Sequence, residues 1–173
     1  VNDDHAPSLY LVKHVVNDNG GTAVAADWTL SAGANDVTGS EGGALATDQA
    51  GTYALSESTV ANYTNTSVTC DNGDGPASVT IGLGDTVTCT FVNDDIAPTL
   101  TVVKVLSPVT DTGTVNLLID GAVVASNVGH NGTSGAVALS AGVHTVSETG
   151  GPGTTLSQYT AQFGGACAAN GSV

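Results

Sequence analysis

The sequence repeats itself. Val1-Asn-Asp-Asp-His-Ala-Pro-Ser-Leu9 returns as Val92-Asn-Asp-Asp-Ile-Ala-Pro-Thr-Leu100, an offset of 91 residues. At that offset Lys13 falls on Lys104, and Gly51-Thr-Tyr-Ala-Leu-Ser-Glu57 falls on Gly142-Val-His-Thr-Val-Ser-Glu148. After a small insertion, Tyr63…Cys70 falls on Tyr159…Cys167. An echo of this kind means two copies of one folded unit. They are expected over 1–95 and 96–173, each the size of a small domain. The first copy runs on past Cys70 through Val79 and Cys89 to Asn93, whereas Val173 aligns with Val79. The second copy is therefore expected to lack its last strand. Such a gap fits a cut from a longer tandem array, or a strand donated by another subunit.

Helix periodicity is nearly absent. Short β-branched runs recur instead, broken by Asn19-Gly20, Asn72-Gly73, Asn131-Gly132 and Asn170-Gly171. Strands are expected at 8–16, 27–31, 51–56, 67–70, 77–83 and 86–92 in the first copy. In the second they are expected at 100–106, 113–119, 136–139, 142–147 and 159–163. Many short strands at this spacing predict an all-β protein of two tandem β-sandwiches.

Charge narrows the function. Sixteen acids face two bases, for a net charge of −14. Nothing here would neutralise nucleic-acid phosphates or anionic lipid. No apolar run approaches a membrane helix. Only 10% of residues are charged and 40% are hydrophobic, which excludes disorder. A secreted, acidic, β-rich structural protein remains.

Both bases are lysines, and they occupy one equivalent position, each inside an apolar strand. By period-two alternation Lys13 shares a face with Leu9, Leu11 and Val15; Lys104 shares one with Leu100, Val102 and Leu106. Glu57 has the parity of Tyr53 and Leu55, and Glu148 that of His144 and Val146. Asn93 has the parity of Cys89 and Phe91. A lysine, a glutamate and an asparagine should thus face inward from a first, a middle and a last strand. Desolvation favours a neutral amine and a protonated carboxyl. Attack of that amine on the Asn carboxamide would release ammonia and leave a covalent cross-link. A buried ion pair with an Asn hydrogen bond, or lysines reaching to the rim, are the other readings of the same pattern.

These residues resemble the prealbumin-like domains of bacterial surface proteins, the collagen-adhesin B-type or SpaA-like family. The likeness lies in Leu9-Tyr-Leu-Val-Lys13, in Gly51–Glu57 as Gly-x-Tyr-x-Leu-x-Glu, and in Thr90-Phe-Val-Asn93. It implies transthyretin-like or Ig-like sandwiches and, in many members, a Lys–Asn isopeptide bond promoted by the glutamate. The segment after the glutamate departs from the family's Pro-Gly-Tyr. Asn2 is the repeat equivalent of Asn93, so a neighbouring copy's Asn2 is a candidate acceptor for Lys104.

Cys70 and Cys89 flank a hairpin in one copy and are expected to form a disulfide. Cys167 matches Cys70 and is left without a partner. Asp3, Asp4, Asp18, Asp71, Asp74, Asp94 and Asp95 cluster in loops and domain starts. Hard oxygen donors of this kind suit calcium, although Asn, Asp and Gly also favour plain turns. No other cofactor is expected. The histidines are scattered, and the inward glutamates stand alone, so an enzyme is not expected. The sequence reads as a segment of an extracellular, cell-surface fibre, pilus-like filament or adhesin stalk whose partners are copies of itself. A carbohydrate- or protein-binding surface module is the alternative, and it would need exposed aromatics that this chain hardly has.

Overall fold

The computed structural model describes residues 3–173, and the chain divides into two compact units between Ile96 and Ala97. The first unit carries β1 (Ser8–Val16), β2 (Thr29–Ala32), β3 (Asn35–Thr38), β4 (Ala44–Thr47), β5 (Gly51–Glu57), β6 (Tyr63–Cys70), β7 (Ser78–Ile81) and β8 (Thr86–Asp95). They form two four-stranded sheets, ordered β4-β1-β8-β6 and β3-β2-β5-β7. Every other residue of β8 is buried, from Val87 to Asp95, as expected of a strand with one face on a core. Leu9 and Leu11 from β1, Leu30 from β2, Val79 and Ile81 from β7, and Val87, Cys89 and Phe91 from β8 meet in one apolar cluster with Trp28. The unit is a β-sandwich.

First and last strands lie side by side. β1 pairs in parallel with β8 over its whole length, from Ser8↔Thr86 to Val16↔Asp94. Strands so far apart in sequence pair because both present the same alternation of large apolar residues. Two strands, β3 and β4, were not expected. Each is four residues long and carries a single large aliphatic side chain, Val37 or Leu45, so its signal is weak. β3 is held as the return arm of a hairpin from β2, turning at Gly33 with φ 64°, a backbone region where glycine meets no steric penalty.

The second unit contains β9 (Thr99–Val103), β10 (Val115–Ile119), β11 (Ala122–Val128), β12 (Thr133–Ala138) and β13 (Val146–Gly150). Its sheets are β11-β10-β13 and β12-β9. The repeat is visible in the pairings. β12 lies on β9 as β4 lies on β1, with Leu100↔Val137 and Thr99↔Ala138. Thr145↔Ser172 stands where Ala54↔Ser78 stands in the first unit.

Two expectations are corrected here. Residues 159–163 are not a strand; they follow a short 3-10 turn, Leu156–Gln158. In the first unit the matching strand, β6, is held by its ladder to β8, and no described residue of the second unit supplies that partner. The strand expected at 142–147 is displaced to Val146–Gly150, and β11 was not expected.

Candidate functional site

Lys13 is fully buried, the only such lysine among the described residues. Its Nζ lies 2.8 Å from Glu57 Oε2 at the end of β5, and the Glu57 side chain is 12% exposed. The ammonium also stands over the Trp28 ring, 4.5 Å from its centroid, a favourable cation–π placement. Trp28 is fixed edge-on against Tyr63 with centroids 5.3 Å apart. Burial pushes the Lys13 pKa below its ordinary value, while the hydrogen bond and charge of Glu57, and more distantly Glu41, work the other way.

Asn93 faces the same interior and is 4% exposed. Lys13 pairs with Phe91 and Val15 with Asn93, so Asn93 sits one inward position further along β8. That diagonal is within reach of a long side chain. A third amide completes the group. Asn65 Nδ2 donates to Glu57 Oε1 at 2.9 Å and to Asn93 Oδ1 at 3.2 Å. Three strands of one sheet and one strand of the other therefore converge: β1 supplies the amine, β8 the carboxamide, β6 the bridging amide and β5 the carboxylate. A desolvated amine, a carboxylate touching it and a held carboxamide are the components of acyl transfer from amide to amine.

Sequence reasoning placed Lys13, Glu57 and Asn93 inside but missed Asn65 and the contact of Trp28 with the amine. Tyr63 and Cys70, seven residues apart, both face the core side; their odd separation was the available signal of an irregular strand.

In the second unit Lys104 Nζ lies 2.6 Å from Glu148 Oε2, with side chains 14% and 15% exposed. Amine and carboxylate are thus paired as in the first unit but less covered. Asn2, the expected acceptor, lies outside the described residues.

Cys70 and Cys89 are disulfide-bonded, directly opposite each other on β6 and β8. Cys167 is free and half-buried. Of the acids, Asp18, Asp94 and Asp95 place carboxylate oxygens within 4.8 Å of one another. Desolvation alone would raise the Asp95 pKa, but N–H groups of Gly21 and Asn19 hold its carboxyl below the usual range. One oxygen of Asp94, Oδ1, is buried with no hydrogen-bond partner. Asp71 accepts from the Thr88 N–H and Asp74 from the Thr80 N–H, which is turn chemistry. Asp3 and Asp4 are exposed. No helix among the described residues is long and apolar enough to cross a membrane.

No curated protein and no solved structure matches the chain. The sequence model of a SpaA-type family, described as a prealbumin-like fold domain, matches residues 4–91, just over half of the 173 residues. That span holds β1 to β7, the first part of β8, the Lys13–Glu57 pair and the disulfide; Asn93 lies just beyond it. Domains of this type are structural modules of the kind found in surface pilus proteins. The chain belongs to the SpaA-like family of prealbumin-like fold domains.

Proposed function

We propose that this chain is a load-bearing segment of an extracellular pilus-like fibre or adhesin stalk, and that Lys13 and Asn93 join in an intramolecular isopeptide bond. The observation that carries the reading is the buried Lys13, paired with Glu57 and one diagonal from Asn93. A charged amine with no exposure is expensive to keep; its consumption in an amide removes that cost. Geometry adds a mechanical reason. In parallel strands the chain enters at one end of β1 and leaves at the opposite end of β8, so tension shears the β1–β8 ladder. A covalent tie from 13 to 93 carries the force past everything between them, the disulfide included.

Intact-mass measurement tests the reading. With its disulfide reduced, the protein should be lighter than its sequence by one ammonia, and Lys13→Ala should have its full mass. A full mass for the unmodified protein sinks the cross-link.

The second unit supports an extension of the same reading, in which an extended segment from a neighbouring copy lies along β9 as β8 lies along β1. Leu9 and Leu11 are fully buried, whereas their counterparts Leu100 and Val102 are only half-buried. Among the described residues β9 pairs with β12 alone. A strand there would cover Leu100 and Val102, and a carboxamide opposite Leu106 would meet the Lys104–Glu148 pair. Covalent multimers that disappear with Lys104→Ala are the expected result; multimers insensitive to that change would refute it.

A further inference from the structure

We propose that Asn65 is a catalytic residue of the Lys13–Asn93 cross-link, holding the Asn93 carboxamide by its oxygen and stabilising the charge that develops there. The inference rests on the cross-link reading and adds to it the group that activates the acceptor.

Backbone geometry puts Asn65 in place. Near its C-terminal end β6 turns Val68 and Cys70 toward the interior. The ladder to β8 then slips between Asn65 and Ser67, where two residues of β6 span one step of its partner. Thr66 is the extra residue, and its hydroxyl donates to the Val92 carbonyl at 3.2 Å. Below this bulge the parity is reversed: Tyr63 packs against the core, and Asn65, at the exposed rim, lies directly opposite Asn93 with its amide turned toward Glu57 and Asn93. In a regular strand Asn65 would point to solvent and Thr66 inward. A one-residue slip swaps the faces, and bulges re-aim side chains in this way.

The side chain then uses both N–H bonds of one amide nitrogen on the two partners of the lysine. One goes to Glu57 Oε1 and the other to Asn93 Oδ1. Glu57's second oxygen is occupied by Lys13 Nζ. Asn65 therefore ties the proton acceptor to the electrophile. It also fixes which end of the Asn93 carboxamide is which: the oxygen is anchored, and the nitrogen is the end left to depart.

The chemistry balances without any other reactant. Glu57 takes a proton from the Lys13 ammonium, and the neutral Nζ attacks Cγ of Asn93. The new C–N bond forms as negative charge gathers on Oδ1, where the Asn65 N–H waits. Collapse of the tetrahedral centre breaks the Cγ–Nδ2 bond. Nζ sheds two protons in all through Glu57; both leave on the departing nitrogen as ammonium, and Glu57 ends ionised as it began. A donor aimed at an oxygen that becomes charged only in the transition state accelerates the step selectively. In closed sites the loss of one such donor slows reaction by about 10²–10³-fold. Asn65 reaches in from an exposed edge strand, where water competes, so a loss of about tenfold is expected.

The test is a mass time course on the whole chain, unfolded in denaturant with its disulfide kept and then refolded. It requires protein freshly made at low temperature, before ammonia is lost. Asn65→Ala removes the side chain; Asn65→Asp keeps its shape and removes both donors. Far-UV circular dichroism and the Cys70–Cys89 bond report folding. Each change is also made on Lys13→Ala, where no cross-link can form, to read any effect on stability by itself. The expected result is ammonia loss about tenfold slower in both variants than in the unmodified protein, with midpoints on the Lys13→Ala background little moved. Ammonia loss at the unmodified rate in either folded variant overturns the role of Asn65 and leaves the cross-link standing. Full mass in the unmodified protein at all times overturns both.

Discussion

Cys70 and Cys89 are direct partners across the β6–β8 ladder and are joined by a disulfide that closes a 19-residue separation. The bond locks an edge strand to the last strand of the sandwich, on the same β8 that carries Asn93. β6 in turn carries the bulge that aims Asn65. Bond and bulge together set the register on which the amide group of the site depends.

Replacing both cysteines with alanine should therefore lower stability by about 3 kcal/mol, the loop-closure value for a ring of this size. Urea denaturation of the double variant against the oxidised protein measures it. A midpoint unchanged within error would show that the ladder alone holds β6.

Glu57→Gln should leave the protein folded but at its full mass. The amide keeps the shape of the carboxylate and its place beside Lys13, but it cannot take the proton from the ammonium. Loss of ammonia at an undiminished rate in this variant would remove Glu57 from the chemistry.

Acid should weaken the first unit through Asp95. N–H groups of Gly21 and Asn19 hold its folded pKa below the ordinary 3.8. A carboxyl depressed in the folded state contributes fully above its unfolded pKa, and the contribution fades as pH falls through the folded value. Asp95→Asn should flatten the acid side of the stability–pH curve, read from thermal midpoints between pH 2 and 6, about the range in which carboxylates titrate.

His144 in the second unit should respond in the opposite sense. Its Nδ1 lies 2.6 Å from Asp120 Oδ2 and its Nε2 lies 2.8 Å from the Ser140 carbonyl. Two acceptors suit an imidazolium, so the pKa stands above 6.5, chiefly through the Asp120 hydrogen bond. The stabilisation is complete below the unfolded value and is lost as pH rises through the folded one. Imidazole resonances followed by NMR should give a titration above 6.5 that returns toward the ordinary value in Asp120→Asn.

Gly21→Ala and Gly113→Ala should each destabilise their own unit by about 1–3 kcal/mol. An added Cβ at Gly21 would meet the Tyr63 hydroxyl and come within 2.7 Å of Asp95 Oδ2. At Gly113 it would meet the Tyr159 hydroxyl and come within 2.8 Å of Asp111 Oδ1. In both units the glycine backs onto the hydroxyl of the corresponding tyrosine, Tyr63 or Tyr159, and differential scanning calorimetry should show similar losses. A neutral result at both would mean that the tyrosines swing aside freely.

Much of the site was legible without coordinates. The offset of 91 residues aligned both lysines and two of the three glutamates. Strand parity then put Lys13, Glu57 and Asn93 on inner faces, because side chains alternate across a pleated strand wherever the ladder is regular. On β6 the expected strand, 67–70, starts past the bulge, so Asn65 lay outside it, and the extra residue reverses the faces there.

Sequence by itself determined that a β-rich chain echoes itself at an offset of 91 residues, which residues of regular strands face inward, and which family the first stretch resembles. Those follow from short-range periodicity and from self-similarity, both written along the chain. Only the tertiary structure decided that Trp28 roofs the Lys13 amine, that Asn65 stands between Glu57 and Asn93, and that Asp18 comes up against Asp94 and Asp95. Each is a meeting of residues far apart in the chain. Periodicity says which face a side chain occupies; pairing register and bulges, set by the packing of the whole sandwich, say what it meets there.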